Sequence, residues 1–298
     1  MVFFEGNGNF GDEMIRKILV PVRGDGKGDN VLAHAAALAR KFDAHIEITH
    51  CRAKPEDLLP FGVPIPAALR KQLAQHSIEM FDAEEAGLRA EFEALCGVLN
   101  ITMCDTASGE GVSANFVEEA GRQIDVIKHH GRLADLIAVA MPDRDRNIGT
   151  NTLKAALFST GRPVLMCPKP AGDVPDILGR NIAIAWDGSL ESSRAVIATL
   201  PLLSTANKVS IYTVRSKPVP VPPDELQSYL RSHDIVAEVK LVDPKPNVAA
   251  ALLSNATQSG AEILILGAYS KNQELERLLG GTTQYIVDHA TMPVIMMN

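Results

Sequence analysis

Hydrophobic residues along the chain form short, almost unbroken runs, which alternate with segments that have a helical pattern. KILVPV (17–22), DLIAVA (135–140) and EILILG (262–267) are three such runs. Parallel strands covered by helices on both faces have this continuous apolar pattern, whereas half-exposed antiparallel strands alternate between apolar and polar residues. The pattern therefore predicts parallel strands that lie between two layers of helices.

The same order of elements occurs twice in the chain. IRKILVPV before VLAHAAALARKF matches RNIAIAWDGS before SSRAVIATLPLL, and ADLIAVA matches AEILILG. TGRPVLMCP (160–168) likewise matches ATMPVIMMN (290–298) at the end of each copy. Both halves begin and end alike, which indicates an internal repeat.

Further elements are expected between these matching segments. In the first half they are a strand AHIEITHC, a helical stretch from Pro66 to Leu95, a strand NITMCD and a helix from about Val112 to His130. In the second half they are a strand NKVSIYTV, a helix near Asp224 to Arg231, a strand IVAEVKLV and a helix from about Asn247 to Gln258. We therefore predict an α/β protein of two tandem doubly wound domains, each a five-stranded parallel sheet flanked by helices.

The predicted domain boundaries follow from the repeat. Prolines and glycines between residues 168 and 179 are typical of an exposed connection. We predict a peripheral N-terminal arm over 1–13, a first domain over 14–170, a linker over 171–177 and a second domain over 178–298. The arm matches neither copy and is also consistent with an upstream start, because Met14 opens a natural first strand.

Composition and charge exclude several classes of protein. The 298 residues are 46% hydrophobic and carry a formal net charge of -7, which is unlike a disordered or low-complexity chain. No apolar run approaches the roughly 18 to 20 residues that span a bilayer, and the acidic N-terminus is unlike a signal peptide. No basic cluster is present that would neutralise the phosphates of a nucleic acid. We expect a cytoplasmic protein that binds neither membranes nor nucleic acids.

The first candidate for a binding site lies at the end of the first strand of the second half. Ligands of open parallel sheets bind outside the carboxyl ends of the strands, where the strand order reverses. Asp187 is expected there and can accept hydrogen bonds from sugar hydroxyls or a base amine, while Gly188 lets a ligand approach the backbone. Asp-Gly-Ser is also an ordinary turn and helix cap, and that interpretation stays open.

A second candidate follows the fourth strand of the same half. That strand ends in Gly267, and the run from Gly280 to Thr283 is expected at the start of the last helix. Backbone N–H groups and hydroxyls at a helix start favour an anion. Two strand ends and one helix start would meet in one crevice, so the sequence indicates a ligand that carries phosphate. Lys271 and Arg277 lie between them in sequence and could reach a triphosphate.

Other motifs carry less weight. The G-x-G-x-x-G match at residues 6–11 lacks the strand before it and the helix after it that a dinucleotide site requires. Walker, nucleophile-elbow and HExxH patterns are absent. His129 and His130 are adjacent and should point in different directions at a helix end, which favours an interaction with the helix dipole over metal ligation.

With these motifs, the sequence resembles the universal stress protein family in its tandem two-domain form, over roughly 14–170 and 178–298. Members of that family that bind ATP carry an Asp at the end of the first strand and a G-x2-G-x9-G-[S/T] signature after the fourth. Asp187, Gly267 and Gly280 fall on those positions, and Val214 falls where the main chain of the family meets adenine.

The sequence departs from the family signature at two positions. Ser270 replaces its second glycine, and Gly281 replaces the Ser or Thr after its third glycine. The hydroxyls are moved to Thr282 and Thr283. The site residues that the resemblance implies are Asp187, Gly188, Val214, Gly267, Ser270, Gly280, Gly281, Thr282 and Thr283.

The first half lacks this signature. Arg23 occupies the position of the Asp, and Met141 and Pro142 follow the fourth strand. MPDRDRNIGTNT (141–152) is too short and too poor in glycine to copy the loop. The first half is therefore expected to have a degenerate site and a structural or partner-binding role.

The resemblance implies a stress-response regulatory protein that binds ATP or a related adenine nucleotide, alone or with Mg²⁺, in its second half. We expect at most slow hydrolysis, no catalytic residue and no metal-ligating side chains, because no general base is placed to activate water. One alternative is a nucleotide-free interaction scaffold with an unknown protein partner. Another is an adenylating or pyrophosphatase-like enzyme of the adenine nucleotide alpha-hydrolase-like fold.

The last strand of each half carries a further expectation. PVLMCP (163–168) and PVIMMN (293–298) are apolar, and an exposed apolar edge strand invites pairing with another strand. Single-domain members of the universal stress protein family, which this sequence resembles, commonly dimerise through this strand. We therefore expect the two copies to pair within one chain as a pseudo-dimer, and a homo-oligomer would use other surfaces.

Overall fold

The strands lie where the apolar runs predict them. The computed structural model describes residues 14–22, 28–52, 86–146, 148–169, 172–215, 219–269 and 281–298. Within these residues the strands are β1 (Lys17–Val22), β2 (His45–Arg52), β3 (Thr102–Met103), β4 (Ser113–Ala120), β5 (Leu136–Ala140), β6 (Val164–Cys167), β7 (Asn181–Ala185), β8 (Lys208–Val214), β9 (Ala237–Val242), β10 (Ile263–Gly267) and β11 (Val294–Met297).

Helices connect most of these strands. The described ones are α1 (Gly28–Ala39), α2 (86–98), α3 (Gln123–Gly131), α4 (Thr150–Ser159), α5 (Leu190–Ala198), α6 (Leu200–Ser204), α7 (Pro223–Arg231), α8 (Val248–Gln258) and α9 (Thr282–His289). α7 and α8 match the helices expected in the second half, and the side chain of Asn247 caps α8 by accepting a hydrogen bond from Ala250 N–H. None of the described helices is long and apolar enough to cross a membrane.

All eleven described strands belong to one sheet, in the order β3-β4-β2-β1-β5-β6-β11-β10-β7-β8-β9. Strands within each half run parallel, and only the pair β6–β11 is antiparallel among the described pairs. Outward from that pair, both halves place the last, fourth, first and second repeat strands in the same order. The predicted α/β fold with parallel strands is confirmed.

The helix predicted from Val112 to His130 is wrong over its first part. β4 occupies that part and pairs in parallel with all eight residues of β2, and α3 follows it. The end of β4 contains Glu118 and Glu119, residues that favour helices in isolation. In the sheet Glu118 lies 3.8 Å from Arg52 of β2, so pairing across strands outweighs local propensity.

In its described residues the first half consequently has six strands rather than the five predicted. The expected strand NITMCD is reduced to the two residues of β3, which pair only with the start of β4 at the sheet edge. The described part of the second half has five strands, as predicted. Of the helical stretch expected from Pro66 to Leu95, residues 66–85 lie outside the described residues, and the remainder is helical.

The expected pairing of the two terminal strands is confirmed. β6 and β11 pair antiparallel at the centre of the sheet, with Ile295 opposite Leu165. The side chains of this junction are completely buried, and they are Val164, Leu165, Met166, Val294, Ile295 and Met296. The junction joins the two halves into one continuous sheet and covers the edge that each half would otherwise expose.

Helices cover both faces of the sheet, as the doubly wound arrangement requires. Buried side chains from α1, α2, α5, α6 and α7 form one apolar cluster on the first face. Those from α3, α4, α8 and α9 form a second cluster on the opposite face. Each cluster contains residues of both halves, so the core of the protein is shared across the central junction.

The linker between the two halves is hydrogen-bonded to the first half at its C-terminal end. Residues 172–177 are mostly exposed, but Leu178 is 3% exposed and its backbone N–H donates to the carbonyl of Ala37 at 3.1 Å. The ammonium group of Lys41 donates to the carbonyls of Gly179 at 2.7 Å and Thr205 at 3.1 Å. A side chain of the first half thus bridges the linker end and the second half.

Candidate functional site

A cavity of about 240 Å³ lies at the carboxyl ends of β7, β8 and β10, beside the start of α9. From β7 the chain continues to β8 on one side, whereas β10 lies on the other, so the strand order reverses here. This is where open α/β sheets bind ligands. The lining residues are Ala185, Trp186, Asp187, Ser189, Glu191, Tyr212, Thr213, Val214, Val219, Val248, Leu252, Leu266, Gly267, Tyr269, Thr282, Thr283 and Ile286.

The structure brings five of the predicted residues together in this cavity. They are Asp187, Val214, Gly267, Thr282 and Thr283, which come from three strand ends and one helix start. Gly188 and Gly281 are their chain neighbours but do not line the cavity. Ser270 and Gly280 lie outside the described residues.

Asp187 combines a local role with an exposed position. The backbone N–H and the hydroxyl of Ser189 donate to its Oδ1 at 3.0 and 2.6 Å. Ser189 in turn is the N-cap of α5, and its Oγ accepts the backbone N–H of Ser192 at 3.1 Å. The turn and the cap expected from Asp-Gly-Ser are therefore both formed. The second carboxylate oxygen of Asp187 has no hydrogen bond among the described residues.

Two glycines of the site are required by backbone packing. A Cβ on Gly267 would lie 2.4 Å from the backbone nitrogen of Ser192, so only glycine lets the end of β10 approach the first turn of α5. Gly188 has φ of +69°, and a Cβ there would lie 2.7 Å from the backbone nitrogen of Val221. Gly188 thus accommodates a neighbouring loop, whereas the sequence suggested the approach of a ligand.

The start of α9 is tied to the end of β10. The backbone N–H of Tyr269 donates to Oγ1 of Thr283 at 3.3 Å. The backbone carbonyl of Tyr269 accepts a hydrogen bond from Nδ2 of Asn298 at 2.8 Å. Gly281 is the N-cap residue of α9 and supplies no capping side chain. Thr282 is exposed and lines the cavity, so the first turn of α9, where backbone N–H groups have no partner within the helix, lies beside it.

Several solved structures of known proteins are similar to this chain. No protein-family model matches the chain, and no curated protein does. A universal stress protein from Archaeoglobus fulgidus DSM 4304 has a TM-score of 0.67 at 15% identity, over 96% of this chain and 97% of its own. The chain has the universal stress protein fold.

A second universal stress protein structure supports this assignment of the fold, and a protein of unknown function is also similar to this chain. A putative universal stress protein from Pseudomonas aeruginosa UCBPP-PA14 has a TM-score of 0.51 at 17% identity, over 95% of this chain and 93% of its own. A functionally unknown protein from Pseudomonas aeruginosa PAO1 has a TM-score of 0.50 at 17% identity, over 95% of this chain and 92% of its own. All three structures match both halves.

Two aromatic residues that line the cavity of this universal stress protein fold were not among the site residues predicted from the sequence. Trp186 lines the cavity and donates its indole N–H to the carbonyl of Val221 at 2.9 Å. Tyr269 has φ of +53°, and its ring lies 5.4 Å from that of Phe158, at the end of α4 in the first half. The first half therefore supports one wall of the cavity in the second.

The charge of the cavity is acidic in the part that the structure describes. Among the described lining residues, Asp187 and Glu191 carry carboxylates, and none is Lys or Arg. Glu191 lies in the first turn of α5 and is 9% exposed. Lys271 and Arg277, which the sequence suggests for a triphosphate, lie outside the described residues.

The loop before the corresponding helix of the first half packs closely against the start of that helix. Asp143 and Ile148 exchange backbone hydrogen bonds of 2.7 and 2.9 Å, which closes a tight hairpin after β5. Gly149, the N-cap of α4, has φ of +98°, and a Cβ there would lie 2.9 Å from Cα of Pro142. The chain after Pro142 thus folds back onto α4. Arg23 lies outside the described residues.

Proposed function

We propose that the chain is a tandem universal stress protein that binds ATP, or a related adenine nucleotide, in its second half. The observation that supports this proposal is the convergence of Asp187, Val214, Gly267, Thr282 and Thr283 on one cavity. These residues come from three separate segments of the chain, around 187, around 214 and over 267–283, and the structure brings them to one cavity as expected from the sequence.

In the proposed mode each part of the nucleotide has a matching surface. The carboxylate oxygen of Asp187 that does not bond Ser189 accepts a ribose hydroxyl, and the main chain at Val214 meets adenine. The phosphates lie toward the first turn of α9, where N–H groups and the hydroxyl of Thr282 are directed to an anion. The carboxylates of Asp187 and Glu191 favour a nucleotide whose charge is balanced by Mg²⁺.

Other parts of the proposal rest on the resemblance alone. They are the role in the stress response, the unknown protein partner and a homo-oligomer that uses other surfaces, whereas the proposed cytoplasmic location rests on the composition and the N-terminal sequence. We propose regulation by nucleotide binding, with hydrolysis that is slow at most. The first half is proposed to bind no nucleotide, because the hairpin at Asp143 and Pro142 lies against the start of α4.

Calorimetric titration of the purified chain with ATP and Mg²⁺ should give one nucleotide per chain. Mass spectrometry after denaturation should identify any adenine nucleotide that is purified with the protein. A stoichiometry of two would contradict the proposed loss of the first site. If no adenine nucleotide binds, the nucleotide-free scaffold becomes the better interpretation.

Replacing Asp187 by Ala should weaken ATP binding by roughly tenfold to a hundredfold, because a charge-assisted hydrogen bond is worth about 1.5–3 kcal/mol. Asp187→Asn keeps an acceptor for Ser189 and should preserve the turn, so it isolates the loss of charge. Calorimetry measures both affinities, and Asp224→Ala on the exposed start of α7 is the control. Wild-type affinity in a folded Asp187→Ala protein would place the ribose elsewhere.

A further inference from the structure

A cluster of histidines and carboxylates lies between α3 and the sheet in the first half. Nε2 of His130 is 2.8 Å from Oε2 of Glu119, and Nδ1 of His129 is 3.1 Å from the same oxygen. The sequence suggested that the adjacent histidines diverge toward the helix dipole. In the structure both rings reach one carboxylate, with ring centroids 4.8 Å apart.

A buried carboxylate holds the ring of His130 from its other side. Nδ1 of His130 is 2.7 Å from Oε1 of Glu47, whose side chain is 11% exposed. The ammonium of Lys17 donates to the other oxygen of Glu47 at 2.7 Å. Burial alone would raise the pKa of Glu47, but the hydrogen bonds from His130 and Lys17 outweigh it and lower that pKa to about 2. The 2.7 Å contact places a carboxylate oxygen of Glu47 against Nδ1 of His130, on the side of the ring away from Glu119.

The second half shows that this fold does not require such a cluster. α8 stands in the second half where α3 stands in the first, after the outer strand and over the same face of the sheet. Its contact with β8 and β9 is mainly apolar, through Tyr212, Val242, Leu252 and Ala256. A hydrophobic contact is thus available at this place, and buried charged groups are costly to desolvate. The first half instead has histidine and carboxylate side chains at this place.

From this geometry we infer that Glu119, His129 and His130 bind a divalent transition-metal ion, with Zn²⁺ the best fit. Their ligand atoms lie within 4.8 Å of one another, and they are the one such group of three among the residues that the structure describes. Imidazole and carboxylate suit Zn²⁺, which binds them at about 2.0–2.2 Å. Three protein ligands leave a position open for water.

The surroundings of the cluster match a metal site in two respects. A histidine ligand commonly donates its second N–H to a carboxylate, which fixes the tautomer that leaves the other nitrogen free for the metal. Glu47 does this for His130, so it is a positioning residue. The side chain of His129 is 69% exposed, so its ring is free to rotate and bring a nitrogen atom to the ion. Binding replaces the proton on Nε2 of His130, which passes to water.

The test uses the full chain, stripped with EDTA, without nucleotide, and titrated with ZnCl₂ by calorimetry. We expect one ion per chain, and His129→Ala, His130→Gln and Glu119→Gln should each weaken binding by about tenfold or more. His129 is exposed, so its variant should fold normally. His233→Ala, an exposed histidine at the end of α7, is the matched control and should bind like wild type.

Glu47 is tested separately as a positioning residue. Glu47→Gln keeps an acceptor for Nδ1 of His130, so it should bind Co²⁺ more tightly than Glu47→Ala, with a visible spectrum closer to that of wild type. That spectrum should show nitrogen and oxygen ligands and no thiolate charge-transfer band. The inference is overturned if no saturable ion binds, which would leave an internal ion-pair network. It is also overturned if His129→Ala and His130→Gln bind Zn²⁺ like wild type.

Discussion

Ile295→Asp is expected to destabilise the whole protein by several kilocalories per mole and to open it at its centre. Ile295 is completely buried in β11 and lies opposite Leu165 of β6, at the junction of the two halves. An unpaired charge at such a position costs roughly 3–5 kcal/mol, a large share of the 5–15 kcal/mol that typically separates the folded and unfolded states. The halves should separate at the junction and expose apolar surface.

Three measurements and one matched variant examine this expectation. Urea unfolding should begin at lower denaturant, binding of a hydrophobic dye should rise, and the radius of gyration in solution scattering should increase. Ile197→Asp makes the same chemical change at a side chain of α5 that is 53% exposed, and its stability should stay within about 0.5 kcal/mol of wild type. Equal behaviour of the two variants would mean that the junction contributes little to holding the halves together.

Gly267→Ala should have the second largest effect, because it changes both stability and the proposed nucleotide site. The added Cβ would lie 2.4 Å from the backbone nitrogen of Ser192. Because the clashing atom belongs to the backbone, a change of side-chain rotamer cannot relieve the contact. Moving the first turn of α5 costs roughly 3 kcal/mol or more. It also displaces Ser189 and Asp187, so ATP affinity should fall further than in Asp187→Ala.

The control for this substitution is Gly97→Ala. Gly97 is an exposed residue of α2, and a Cβ there would meet nothing within 4 Å, so alanine should stabilise the helix by up to about 1 kcal/mol. Urea unfolding and calorimetry with ATP give both quantities for each variant. The packing explanation for Gly267 fails if Gly267→Ala unfolds and binds ATP like wild type.

The repeat and most strands could be predicted because buried parallel strands leave a strong signal in the sequence. Runs such as ILILG of β10 have no other common explanation in a chain of this composition. β4 was missed because Glu118 and Glu119 in its second half have partners on β2 and α3 that lie far away in the sequence. Local propensity contains no information about those partners.

The candidate nucleotide site was predictable to a similar degree. A short motif around Asp187 and another that begins at Gly267 identified two of its walls. Tyr269 could not be found, because its left-handed backbone and its contact with Phe158 depend on how the first half packs against the second. The pairing of His130 with Glu47 joins residues 83 positions apart and depends on the placement of α3 over β2.

The antiparallel junction of β6 and β11 determines where bound molecules stand relative to each other. Strands of the two halves point in opposite directions, so their carboxyl ends lie at opposite rims of the sheet. The cavity at β7, β8 and β10 opens at one rim, and Glu119 at the end of β4 lies at the other. A strand of five to eight residues spans roughly 17–27 Å. The two candidate sites are therefore separated by about one strand length, and a molecule bound at either rim would leave the other rim accessible.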